Sequence, residues 1–142
     1  MANRFHLAIP AGDIDTSIKF YCDILGCKRG NAEFKYPDAW ADIDFWGNEL
    51  TLHATDPNKK NINERHNVDM GNVSVPHFGV HLGAEVFKNL KEKLIQHNVK
   101  FVDEPYVRFK GESKEQETMF IEDPNGNCLE IKTMRNPDAL FK

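Results

Sequence analysis

Apolar and polar residues alternate near the beginning of the chain. In residues 5–10, FHLAIP, every second residue is bulky and apolar, whereas His6 and Ala8 point to the opposite side, which is the period of a half-buried strand. In the next segment, 11–27, apolar residues recur at helical spacing, and Gly26 is well placed to end a helix. The pattern predicts a strand followed by an amphipathic helix of about three turns.

The same order of elements occurs twice along the chain. Residues 55–75 carry Asp, Asn, Gly and Pro without any period, which indicates a linker or a long loop between the two halves. The predicted strands are 5–10, 27–34, 39–47, 48–54, 77–82, 100–109, 117–123 and 127–133, and the second helix is 83–99. We therefore predict an α+β fold in one domain, 1–142, with two βαβββ modules at 4–54 and 76–133 and a tail at 134–142.

The second module repeats the histidine of the first. His77 stands where His6 stood, and Glu130, on the last strand of the second module, has the parity of the same polar face. Two imidazoles and one carboxylate on rigid strands suit a divalent ion of the Fe, Mn, Zn or Ni type. If a pseudo-twofold axis relates the modules, His6 and His77 come close together. For any one histidine taken alone, an ordinary polar position on a solvated sheet face remains the alternative.

Composition and charge argue against several classes of partner. The formal net charge of −4 gives no electrostatic reason to bind nucleic acid or an anionic membrane. The chain begins without the basic and apolar regions of a signal peptide and contains no run of membrane-spanning length, so we expect a cytoplasmic protein. The three cysteines form no CxxC pair, which favours reduced thiols over a disulfide framework or a thiolate zinc site.

Four motifs together carry a resemblance to a known family. FHLAIP, SIKFYCDILGC, PHFGVHL and FIEDPNGNCLEIK follow one another in the βαβββ repeat of the vicinal oxygen chelate superfamily, which includes glyoxalase I, extradiol dioxygenases and fosfomycin and bleomycin resistance proteins. The likeness covers nearly the whole chain and is greatest to small bacterial extradiol-dioxygenase-like proteins. It implies a curved mixed β-sheet with a concave metal-binding face, helices packed outside, and His6, His77 and Glu130 as the metal ligands.

The sequence departs from the glyoxalase I pattern at one position. Glyoxalase I supplies a fourth ligand, a glutamate, from the last strand of the first module, whereas this chain has Thr51 at the position equivalent to Glu130, with His53 two residues further on. His53 is therefore a candidate fourth ligand or proton donor. Tyr106 and Arg108, in EPYVRFKGE, are candidates to orient an anionic or phenolic oxygen of a substrate, with an exposed strand edge as the alternative.

These residues lead to an expected activity and to rivals. With Fe²⁺, the favoured ion, two histidines and one carboxylate form a facial triad, which points to an extradiol ring-cleaving dioxygenase. The same site on the same fold would serve a glyoxalase-like lyase, isomerase or thiol transferase, with Mn²⁺, Zn²⁺ or Ni²⁺ as other possible ions. A metal-free binding protein of the bleomycin-resistance type is the rival from another class. The resemblance further implies a small-molecule substrate with vicinal oxygens and a homodimer.

Overall fold

The computed structural model describes residues 3–61, 64–68 and 71–142 of the chain. The chain forms two compact units, residues 1–62 with 123–127 and residues 63–122 with 128–142. The strands are β1 (His6–Gly12), β2 (Lys28–Glu33), β3 (Trp40–Phe45), β4 (Asn48–Ala54), β5 (Arg65–Val68), β6 (Gly71–Ser74), β7 (Phe78–His81), β8 (Phe101–Arg108), β9 (Gln116–Glu122) and β10 (Cys128–Met134). The helices are α1 (Ile14–Lys19), continued by a π-helical turn (Phe20–Ile24), α2 (Ala84–Gln96) and a short 3₁₀ helix (Pro137–Phe141).

Each unit contains one four-stranded mixed sheet. In the first unit the strand order is β1-β4-β3-β2, and in the second it is β7-β10-β9-β8. The first and last strands of each set pair in parallel, and the other pairs are antiparallel. A helix connects the first two strands of each set, which run in the same direction at opposite edges of the sheet. The predicted α+β fold of two βαβββ modules is therefore confirmed.

The helices bury the faces that their periodicity predicted. Phe87, Leu90 and Leu94 of α2 are buried, and each recurs three or four residues after the one before it. The first helix differs from the prediction because only its first six residues are α-helical. Asp13 caps it by accepting a hydrogen bond from the Thr16 amide, and the chain then widens into the π-helical turn.

Residues 55–75 contain structure that the sequence did not predict. The expected linker includes the antiparallel strands β5 and β6, which form a separate two-stranded sheet. The polar residues of this hairpin, RHNV and GNVS, lack the clean apolar alternation by which strands are recognised. No helix in the described part of the chain has the length and apolar character needed to cross a membrane.

A buried carboxylate organises the turn between β9 and β10. Asp123 Oδ1 accepts hydrogen bonds from the amides of Asn125 and Asn127, each at 2.9 Å. Its Oδ2 accepts from the Tyr21 hydroxyl at 2.7 Å and from Asn127 Nδ2 at 2.8 Å. Asn125 and Asn127 each donate a further bond to the Pro10 carbonyl at 2.8 Å. Burial of the carboxyl group raises the pKa of Asp123 despite these donors.

Removing the tyrosine hydroxyl from this network has a predictable cost. In Tyr21→Phe, Asp123 loses one of its four donors in a buried place, so the free energy of unfolding is expected to fall by about 1–3 kcal/mol. Tyr36→Phe is the matched control, because Tyr36 is 59% exposed, and its stability is expected to stay within about 0.5 kcal/mol of the parent. Urea unfolding followed by circular dichroism measures both. Equal midpoints for the two variants would contradict the role of this hydrogen bond.

Candidate metal centre

The strand registers place the polar residues of each module at equivalent points. Ala8 lies opposite Thr51 in the β1–β4 pair, and Gly79 lies opposite Glu130 in the β7–β10 pair. Each of these pairs stands two residues after the histidine of its module. The registers therefore bear out the equivalence of Thr51 and Glu130 that the sequence indicated.

Two of the three predicted ligands lie in contact within the second unit. His77 Nε2 is 3.2 Å from Glu130 Oε1. The Thr118 hydroxyl donates a 2.7 Å hydrogen bond to the other carboxylate oxygen, Oε2, and Lys132 Nζ is 3.5 Å from the same oxygen. Glu130 is only 7% exposed, so these neighbours replace most of its hydration. The carboxylate is thereby held with Oε1 turned to the imidazole.

The electrostatics of the pair follow from these contacts. The hydrogen bond with Glu130 raises the pKa of His77, against the opposing effect of partial burial. Burial acts to raise the pKa of Glu130, but the hydrogen bonds with His77 and Thr118, together with Lys132, outweigh it and lower that pKa. Both shifts favour the charged forms, so His77 and Glu130 form an ion pair in which the proton lies between Nε2 and Oε1.

The third predicted ligand, His6, has a partner that the sequence did not identify. His6 Nδ1 is 2.6 Å from Glu49 Oε1, and the two residues lie opposite each other in the parallel β1–β4 pair. Glu49 shares the strand face of Thr51 and His53, so its parity was visible in the sequence. Its contact with His6 depends on the register of a parallel pair, which the sequence pattern does not set.

His6 and His77 are oriented in the same manner, each within its own unit. His77 Nδ1 donates a 2.7 Å hydrogen bond to the Ser74 carbonyl, as His6 Nδ1 donates to Glu49. Metal-binding histidines commonly donate one ring N–H to a carboxylate or a carbonyl and bind the ion through the other nitrogen. In both residues Nε2 is the nitrogen that remains for an ion. Thr51, by contrast, donates to Asp42 at 2.7 Å.

Gly79 allows the close approach that brings His77 and Glu130 together. A Cβ atom at position 79 would lie 1.6 Å from the carbonyl oxygen of Glu130, which no side chain permits. Because that oxygen belongs to the backbone of β10, it cannot move without breaking the β7–β10 ladder. Glycine is therefore required at this position.

An open cavity of about 220 Å³ lies beside the pair within the second unit. His77, His81, Glu130 and Lys132 supply its polar lining. His81 lies opposite Lys132 in the β7–β10 pair. Burial, followed by the charge of Lys132, lowers the pKa of His81 and favours its neutral form.

The three predicted catalytic residues lie at different places in the fold. His53 is exposed on β4, opposite Trp40, in the first unit. Tyr106 lies opposite Thr118 on β8 and packs against the apolar cluster around Phe120. The guanidinium of Arg108 lies 4.8 Å from the centre of the neighbouring Phe109 ring. Tyr106 and Arg108 do not line the cavity beside His77, so the catalytic roles of all three stay predictions.

No three acidic, histidine or cysteine side chains are arranged to hold a metal ion within the described residues of either unit. The cysteines are free, and burial raises the pKa of Cys27 to about 12 and that of Cys128 to about 11. Thiols with such pKa values stay protonated at neutral pH.

Comparison with known proteins places the chain among relatives of this architecture. Residues 4–131 match the model of the Glyoxalase/Bleomycin resistance protein/Dioxygenase superfamily. A Synechocystis protein named "Probable lactoylglutathione lyase" is 31% identical over 134 residues, covering 89% of this chain and 91% of the relative.

Solved structures show the same architecture. A glyoxalase/bleomycin resistance protein/dioxygenase from Alicyclobacillus acidocaldarius is 34% identical, with a TM-score of 0.76 over 98% of this chain and 96% of its own. A fosfomycin resistance protein from Listeria monocytogenes, FosX, was solved with Mn(II) and dihydroxypropylphosphonic acid. It shares the fold, with a TM-score of 0.67 over 92% of this chain and 91% of its own, at 10% identity.

The requirement for glycine at position 79 generates a prediction. In Gly79→Ala the new methyl group overlaps the β10 backbone, so the free energy of unfolding is expected to fall by at least about 3 kcal/mol. Gly83→Ala is the matched control, because nothing lies within 4 Å of a Cβ built there, and its cost is expected to stay below about 1 kcal/mol. Chemical denaturation measures both. Equal stability of the two variants would contradict the close approach of the strands.

Proposed function

Because the chain belongs to the Glyoxalase/Bleomycin resistance protein/Dioxygenase superfamily, we propose that it is a metal-dependent enzyme acting on a small substrate with vicinal oxygens. The contact between His77 Nε2 and Glu130 Oε1 is the observation that carries the proposal. With His77 Nδ1 donating to a carbonyl, the neutral ring has only a lone pair at Nε2, and the carboxylate oxygen facing it is also an acceptor. Two acceptors 3.2 Å apart need a cation between them, either a proton or a metal ion.

The donor set fits a divalent ion. An imidazole and a carboxylate are ligands of Fe²⁺, Mn²⁺, Zn²⁺ and Ni²⁺, and both are held by hydrogen bonds to neighbouring groups, Ser74 and Thr118. We propose His6 as the third protein ligand, oriented by Glu49. When bound, the ion would act as a Lewis acid toward substrate oxygens.

Two reaction types suit this site, and we propose the lyase or isomerase type first. The Synechocystis relative named as a lactoylglutathione lyase supports it. Such chemistry moves a proton between neighbouring carbon atoms of the substrate, and we propose His53 or Tyr106 for this transfer, with Arg108 orienting an anionic oxygen. The protein residues must also hold the substrate while the proton moves.

An extradiol dioxygenase is the second candidate. A ligand set of two histidines and one carboxylate favours it, because this is the facial triad of non-haem iron oxygenases. The threonine at position 51 also favours it, since a hydroxyl that already donates to Asp42 takes the place equivalent to the second carboxylate.

Metal binding tests the proposal directly. Protein purified without chelators is expected to carry about one divalent ion per chain by elemental analysis. His6→Ala, His77→Ala and Glu130→Ala are each expected to weaken binding by at least about 100-fold, more than the loss of an outer hydrogen-bond partner costs. His97→Ala is the control, because His97 is exposed at the end of α2. If the parent folds but carries no metal, and none of the four variants differs from it in metal affinity, the metal-free binding protein is favoured instead.

The reaction type has its own test. Loaded in turn with Ni²⁺, Zn²⁺, Mn²⁺ and anaerobically with Fe²⁺, the protein is expected to interconvert lactoylglutathione with methylglyoxal and glutathione, measured by thioester absorbance. Activity should vanish in Glu130→Ala and persist in His97→Ala. Oxygen uptake by the iron form with a panel of catechols, without any thioester activity, would favour the dioxygenase instead. Neither activity with any ion would contradict both candidates.

A further inference from the structure

A lysine lies beside the proposed metal ligands, and they engage only part of its donor capacity. Lys132 lies two residues after Glu130 on β10, so both side chains emerge on one face of the sheet. Its side chain is 24% exposed and lines the cavity next to His77 and His81. A basic group so little exposed is uncommon away from an acidic partner or a ligand.

The contact with Glu130 leaves hydrogen-bonding capacity on the ammonium group of Lys132. Lys132 Nζ lies 3.5 Å from Glu130 Oε2, longer than the roughly 2.7–2.9 Å of a charge-assisted hydrogen bond. The Thr118 hydroxyl donates to the same oxygen at 2.7 Å and is the nearer donor. An ammonium has three N–H donors, and a single distant carboxylate oxygen engages at most one of them.

Charge balance in the cavity indicates the kind of ligand. The charges of Glu130 and Lys132 cancel, and His81 is held toward its neutral form by burial and by Lys132. Once a divalent ion is bound as proposed above, the polar lining of the cavity carries the charge of that ion. Positive charge in a partly enclosed cavity attracts anions.

We propose that Lys132 binds an oxyanion of the substrate, next to the vicinal oxygens that chelate the ion. The inference rests on the proposed function and narrows it to substrates that carry a carboxylate or a chemically similar oxyanion beside those oxygens. His81, opposite Lys132 across the parallel pair, lines the same cavity. Lys132 is thus a substrate-binding residue.

The test compares two ligands of similar size and shape, one anionic and one neutral. Glycerate carries a carboxylate beside a vicinal diol, and glyceramide replaces that carboxylate with a neutral amide. Each is titrated into the Co²⁺-loaded protein, and binding is followed by the visible absorption of Co²⁺. The parent is expected to bind glycerate at least about 10-fold more tightly than glyceramide, since a hydrogen bond to a charged group contributes that much.

Three variants isolate the lysine. Lys132→Gln is expected to weaken glycerate binding by at least about 10-fold and to leave glyceramide binding within about twofold, whereas Lys132→Arg retains most of the glycerate affinity. Lys91→Gln is the matched control, because Lys91 also pairs with a glutamate in the same unit, at 2.8 Å from Glu117, and does not line the cavity. It is expected to change neither affinity.

The outcomes separate this inference from the proposed function. Unchanged glycerate affinity in Lys132→Gln, with Co²⁺ bound, overturns the inference and leaves the metal site standing. A parent that binds no Co²⁺ overturns both. If Lys132→Gln fails to fold, Lys132→Met takes its place, because it keeps the length of the side chain without its charge: unchanged glycerate affinity overturns the proposal, and a selective loss of glycerate binding supports it.

Discussion

The buried Asp123 carboxylate fixes the turn on which the candidate site depends. Four donors, from Tyr21, Asn125 and Asn127, converge on its two oxygens, and the Asp123 amide donates to the Asn127 carbonyl at 2.9 Å to close the turn. Strand β10 starts at the next residue, so this turn sets the register of β10 against β9. A slip of one residue would turn Glu130 toward the side packed under the helix, since side chains alternate along a strand.

Within that register, the site is built at a cost to stability. A carboxylate as buried as Glu130 is unfavourable unless its neighbours replace the lost water, and removing one neighbour leaves the charge uncompensated. Thr118 and Lys132 compensate Oε2, whereas Oε1 faces an imidazole nitrogen that is itself an acceptor in the neutral ring. Hydrophobic residues at the centre of this strand would need no hydrogen-bond or charge partners. The buried pair therefore makes the sheet less stable than an apolar strand centre would, which agrees with the binding role proposed for it.

Sequence periodicity predicted those parts of the structure that depend on local pattern. Alternation located the strands and placed His77 and Glu130 on a polar face, because side-chain parity is a local property of a strand. The contact of His6 with Glu49 was missed because it follows from the register of a parallel pair, whose two strands are far apart in sequence. The β5–β6 hairpin was missed because its polar residues lack alternation. The parity of Lys132 was visible, but its distance from Glu130 was not.

The two modules place a hydrogen-bonded threonine and carboxylate on opposite members of a strand pair. This difference accounts for the predicted number of metal ligands. Each sheet contains a threonine hydroxyl that donates a 2.7 Å hydrogen bond to a carboxylate on the neighbouring strand. In the second module the carboxylate is Glu130, on the strand that pairs with β7, close to His77. In the first module the corresponding strand is β4, and it carries the threonine, Thr51. The carboxylate is Asp42 on β3, a strand that does not pair with β1. Exchange of acid and threonine between strands leaves a threonine at the position equivalent to Glu130, and the carboxylate that contacts His6 is that of Glu49. In the ligand set proposed above, the two modules therefore contribute unequal numbers of ligands, and an ion with fewer protein ligands would keep more positions for substrate.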